Sequence, residues 1–76
     1  MTTFEKIREI IATTLNVAPE IITESLSIGD IEQWDSMGNM AIIAAIEAQM
    51  EIEFPIDDLF ELNSVKALID EIEKIS

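Results

Sequence analysis

The chain has 76 residues, a formal net charge of −12 and neither cysteine nor histidine. That length allows one small hydrophobic core, and the missing residue types exclude disulfides, thiolate or imidazole metal sites and histidine-dependent triads. Lys6, Arg8, Lys66 and Lys74 are its only basic residues and none lies between Ile10 and Val65, so the surface repels nucleic acid and anionic lipid and attracts basic patches on protein partners.

Apolar residues make up 49% of the sequence, enough to argue for a folded core despite the charge. No apolar run approaches the roughly 20 residues of a membrane span, and no signal-peptide pattern opens the chain. A monomeric, cytoplasmic single domain over 1–76, without stable membrane insertion, is the expectation. With tyrosine also absent, only carboxylates, hydroxyls and the few cations could do chemistry. The Asp57–Asp58 pair has too little chain around it to build an enclosing cleft. The protein reads as a substrate and not as an enzyme.

Thr2 and Glu5 form a capping-box pattern. Phe4, Ile7, Ile11 and Leu15 then recur at helical spacing, with Ile10 on the flank, which predicts a first helix over 3–15. Asn16 suits a left-handed stop and Pro19 blocks continuation. The connection over 17–34 is long but carries Val17, Ile21, Ile22, Leu26, Ile28 and Ile31. It should lie across the helices, with a short turn near Pro19–Ile22, a bend at Gly29-Asp30, and Trp34 packed beside the next helix start.

A second helix is expected from Ser36 or Met37 to Met50, capped by Asp35 or Ser36. Ile42, Ile43, Ile46 and Met50 form its core stripe. Met37, Ala41, Ala44 and Ala48 share the opposite side, with Glu47 and Glu51 on its flanks. A surface helix normally carries charge there, so either another helix covers this strip or it is a docking face. In a chain with only three or four helices the docking face is the expectation, joined by Asp35 and Met40 near the helix start. Glu51-Ile52-Glu53-Phe54 is an extended connector, Pro55 to Phe60 a short third helix with acids in its first turn, and Asn63 or Ser64 the cap of a fourth. Val65, Leu68, Ile69, Ile72 and Ile75 keep helical spacing to the end, with Lys74 suited to the helix C-terminus. The fold class is all-α: a small four-helix bundle of three main helices and one short one, with a long first loop.

In that order of parts the chain resembles an acyl carrier protein along nearly its whole length. The resemblance rests on Leu15-Asn16-Val17 ending the first helix, the long loop, and Asp35-Ser36-Met37 opening the second. The connector Glu51 to Phe54 and Asn63-Ser64-Val65 at the last helix complete it. It implies that Ser36 carries 4′-phosphopantetheine, transferred from coenzyme A by a phosphopantetheinyl transferase with Mg²⁺ held in their complex. Asp35 would help place that enzyme. An acyl- or aminoacyl-loading ligase and an acyltransferase or synthase would be further partners, gripping the second helix.

Carriers of fatty-acid synthesis usually have acids where this chain has Gly38, Ala41 and Ala48. The segment Trp34 to Met40 looks more like stand-alone carriers of specialised pathways, such as surface-polysaccharide, lipid or secondary-metabolite assembly. Asp35-Ser36-Met37-Gly38 also resembles D-alanyl carriers, which leaves an aminoacyl cargo open. An unmodified acidic helical adaptor, with Ser36 only a cap, is the alternative of another class.

Overall fold

The computed structural model describes residues 1–75. Helix α1 spans Thr3–Leu15, α2 Ser36–Met50 and α3 Val65–Ile75, with 3-10 helices at Pro19–Ile21 and Ile56–Glu61. Among the described residues no strand forms. An isolated antiparallel bridge joins Ser27 to Ser64. The expected all-α architecture is present, with three main helices and one short one after the long loop.

Helix α1 is the element on which the others assemble, since both α2 and α3 pack against it. Its start closes as the capping box requires. The Glu5 N–H donates to Thr2 Oγ1 at 3.1 Å, and the Thr2 N–H donates to Glu5 Oε1 at 2.9 Å. The bond from the Thr2 backbone, followed by that from its hydroxyl, lowers the Glu5 pKa. Asn16 ends the helix in the left-handed region at φ 59°. Ile7, Ile10, Ile11 and Ala12 are buried, while Phe4 and Leu15 are half-buried at the ends of the stripe.

The 17–34 connection is tied down by its own hydrogen bonds and not by packing alone. The Ile28 N–H donates to the Asn63 carbonyl at 2.8 Å, and the Val65 N–H donates to the Leu26 carbonyl at 2.9 Å. Gly29 adopts φ 88°, a conformation that disfavours L side chains, and its N–H reaches the Trp34 carbonyl at 2.8 Å. Trp34 is fully buried.

Two features differ from the periodicity reading. The Pro55–Phe60 segment forms a 3-10 helix and not an α-helix, over Ile56–Glu61. Six residues bounded by Pro55 are too few to gain much from α-helical cooperativity. Met50 and Ile69 are half-buried and Ile75 is exposed, whereas the charged Glu71 lies inside with Val65, Leu68 and Ile72. In its place on the core side, Glu71 has Oε2 buried without a hydrogen-bond partner.

Burial, then the neighbouring Asp58 carboxyl, raises the Glu71 pKa; Glu61 acts in the same sense and Lys74 opposes it. A carboxyl whose folded pKa is raised keeps its proton in the native state at pH values where the unfolded chain has released it. Stability is therefore lost as pH rises from the ordinary carboxylate range through the raised value. Glu71→Gln should raise the thermal midpoint at pH 7, and this gain should shrink toward about pH 4, where carboxyls protonate. Thermal melts of both proteins across that pH range check this.

Candidate functional site

The sharpest local feature is the start of α2. Asp35 is its N-cap, with Oδ1 accepting the Gly38 N–H at 2.7 Å, and the Asn39 N–H donates to the Asp35 carbonyl at 2.8 Å. Ser36 is therefore the first helical residue and is not the cap. Its side chain is exposed, and among the described residues its hydroxyl makes no hydrogen bond. The N–H groups of Ser36 and Met37 belong to the first turn, which has no intrahelical acceptor for them. An exposed hydroxyl beside two such donors, at the positive end of a 15-residue helix, suits attachment of an anionic phosphodiester. The capping role that the adaptor alternative gives Ser36 is filled by Asp35.

A cavity of about 450 Å³ opens next to Ser36. Ile28 and Asn63 line it from the bridged loops, Ser36, Asn39 and Met40 from α2, and Ile56, Leu59 and Phe60 from the 3-10 helix. Three of its apolar lining residues are exposed, Met40 at 57%, Ile56 at 79% and Phe60 at 93%, and Met37, next to Ser36 in the chain, is 82% accessible. Such a concentration of large exposed side chains around one hydroxyl is a mark of a contact surface.

Asn39 is the residue the periodicity reading passed over. It is buried, and its Oδ1 accepts the Trp34 Nε1–H at 2.8 Å while its Nδ2 donates to the Leu62 carbonyl at 3.0 Å. One side chain thus ties the first turns of α2 to the end of the long loop and to the end of the 3-10 helix. Its position three and four residues before Ile42 and Ile43 puts it on the core stripe. A buried indole N–H, in turn, needs an acceptor.

The expected docking residues divide. Asp35, Met37, Met40, Ala41, Ala44, Ala48 and Glu51 are all exposed, so the small-residue face of α2 is uncovered within the chain. Glu47 is half-buried, and one of its carboxylate oxygens accepts the Phe54 N–H at 2.8 Å, so it serves the connector. Glu51 is also the left-handed C-cap of α2, at φ 54°.

Gly38 has an internal cause. A Cβ at this position would lie 2.6 Å from the Gln33 carbonyl oxygen and 3.2 Å from Leu15 Cδ2. Gly38→Ala should therefore gain about 1 kcal/mol of helix propensity but lose about 1–3 kcal/mol to overpacking against backbone. The expected result is a lower urea midpoint, and an unchanged or higher one would show that the loop yields freely.

The family model for the phosphopantetheine attachment site matches residues 5–72. The acyl carrier protein of Campylobacter concisus (strain 13826) is 30% identical over 76 residues, covering 99% of this chain and 97% of that one. That of Buchnera aphidicola subsp. Schizaphis graminum is 37% identical over 68 residues, covering 90% and 86%. The solution NMR structure of the holo acyl carrier protein from Geobacter metallireducens superposes with a TM-score of 0.84 at 28% identity, over 97% of this chain and 85% of that one. Members of the family carry covalently attached 4′-phosphopantetheine, work with phosphopantetheinyl transferases and with synthases or acyltransferases, and are carriers and not enzymes. With a match from Glu5 to Ile72 and the fold of a carrier, this chain belongs to the acyl carrier protein family.

Proposed function

We propose that residues 1–76 work as one carrier unit in which Ser36 is the attachment residue, and that its cargo belongs to a specialised pathway. The observation that carries the first part is the free, exposed Ser36 hydroxyl at a helix N-terminus capped by its neighbour Asp35. The N–H groups of Ser36 and Met37 would face the phosphate, and the cavity beside Ser36 would flank the arm. The arm supplies a terminal thiol that holds an acyl group as a thioester, in a chain with no cysteine of its own. The protein's part is to present the hydroxyl, to offer two N–H donors to the negative charge, and to dock its partners.

The uncovered alanine face of α2, with Met37 and Met40, supplies the apolar part of that docking surface. Ile56 and Phe60 extend it across the cavity mouth. Asp35 and Glu51, with a contribution from Glu47, steer basic partners toward it. The specialised-pathway reading rests on Ala41 and Ala48, which leave the face short of charge. Gly38 no longer supports it, because packing against Gln33 explains that residue.

No helix among the described residues is long and apolar enough to cross a membrane, and we take the carrier to act in the cytoplasm. If carboxylates steer the transferase, kcat/KM for modification should fall about tenfold or more as salt is raised from low to high ionic strength. A flat response would remove steering from the account. Cargo is tested by offering the holo protein ATP, candidate carboxylic or amino acids and adenylating ligases. Loading of amino acids only would favour the D-alanyl-type alternative.

A further inference from the structure

Resting on Ser36 as the attachment residue, we infer that Trp34 and Asn39 are positioning residues for arm transfer. The bond between their side chains closes a frame around Ser36 and fixes where its hydroxyl meets the transferase. A helix start holds its own residues weakly, because first-turn N–H groups have no intrahelical acceptor and helix ends fray. Ser36 and Met37 lie in that turn with exposed side chains, so what holds them comes from their neighbours.

Those neighbours are anchored on both sides. Upstream, Trp34 is fully buried; its backbone N–H donates to the Ile31 carbonyl at 3.1 Å, and its carbonyl accepts the Gly29 N–H at 2.8 Å. Downstream, the Gly38 and Asn39 N–H groups both donate to Asp35, and Asn39 Nδ2 reaches the Leu62 carbonyl at 3.0 Å. The 2.8 Å bond from Trp34 Nε1–H to Asn39 Oδ1 joins the two anchors across Ser36. Gly38 lets the frame close, since a Cβ there would lie 2.6 Å from the Gln33 carbonyl oxygen. The Asp35 cap satisfies a helix donor; the indole–carboxamide bond is a second closure, and it sets the loop against the helix.

The frame bears on the chemistry because arm transfer is a displacement with attacking and leaving oxygens roughly in line. The Ser36 oxygen bonds to the arm's phosphorus while the bond from that phosphorus to the nucleotide's phosphate oxygen breaks. The hydroxyl proton passes to a base on the transferase, and adenosine 3′,5′-bisphosphate leaves. Misplacing a reacting group by about 1 Å can cost about a hundredfold, so a drift of about half that costs roughly tenfold.

The test compares wild type, Trp34→Phe and Ile72→Val as full chains. Trp34→Phe removes the indole N–H and keeps an aromatic ring. Ile72→Val weakens the core from α3, which packs against α1. Single-turnover transfer from coenzyme A is followed by mass while the transferase is titrated to saturation, at a temperature where all three proteins are folded. At saturation Trp34→Phe should accept the arm about three- to tenfold more slowly than wild type. Its half-saturating transferase concentration should not change, because the exposed face of α2 is untouched. Ile72→Val should keep the wild-type rate.

A wild-type rate in Trp34→Phe would overturn the inference. So would a slowdown shared by Ile72→Val, which would reduce the bridge to stability, or one that vanishes at saturation, which would reduce it to binding. Should Trp34→Phe fail to fold, nuclear magnetic resonance order parameters of the wild type decide. Those of the Ser36 and Met37 N–H groups should equal the values in the middle of α2, about 0.85, and lower ones would overturn the inference. Absence of any mass gain in the wild type would instead overturn the attachment reading beneath it.

Discussion

Ser36→Ala is expected to abolish arm attachment while changing the folding free energy by less than about 0.5 kcal/mol. The two halves of this result have separate causes. Attachment needs the hydroxyl oxygen, and no other residue occupies that place at the α2 N-terminus. Stability does not need it, because Asp35 is the cap and holds the Gly38 N–H at 2.7 Å. The Ser36 side chain is exposed and bonded to nothing among the described residues, and alanine is a good first-turn residue. Loss of a cap would instead cost about 1 kcal/mol, the result expected for Asp35→Ala. Urea titration of the two variants therefore separates cap from attachment residue. A Ser36→Ala protein destabilised as much as Asp35→Ala would assign the capping role wrongly.

The largest effect on stability is expected at Asn39. Its replacement by Ala strands the buried Trp34 Nε1–H and the Leu62 carbonyl, each an unpaired group costing about 1–3 kcal/mol. A cost of about 2–5 kcal/mol is large against the 5–15 kcal/mol typical of whole domains, and this is a small one. The variant should melt far below the wild type, or be unfolded at room temperature. Trp34→Phe isolates one arm of the bridge, because it removes the indole N–H and keeps an aromatic ring. Once Trp34 is Phe, the further substitution Asn39→Ala should cost less than it does in the wild type. Strict additivity would mean that the 2.8 Å bond contributes nothing of its own.

What could be read from the sequence tracks how local its cause is. The Thr2–Glu5 box and the Asn16 stop depend on residues within one helical turn and stand in the structure as the spacing implies, and of the two caps the spacing allowed for α2, Asp35 or Ser36, the structure has Asp35. The exposed alanine face of α2 was also legible, since a helix can hide one side only against a neighbour, and the neighbours are few. Asn39 and Glu71 were not. Both are polar residues on apolar stripes, and periodicity with polarity alone assigns them to solvent. Their burial depends on Trp34, Leu62 and Asp58, brought close only by the tertiary fold. Gly38 shows the converse. Its departure from the acidic pattern of fatty-acid carriers invites a functional reading, yet the Gln33 carbonyl 2.6 Å from its would-be Cβ is cause enough.

The measurement that tests the central claim most directly is intact and fragment mass after incubation with coenzyme A, Mg²⁺ and a broad-specificity phosphopantetheinyl transferase. The account predicts a gain of one arm, located by fragmentation on Ser36 and absent from Ser36→Ala. A folded wild type that gains no mass, or that carries the arm on another hydroxyl such as Ser25, Ser27 or Ser64, would contradict it.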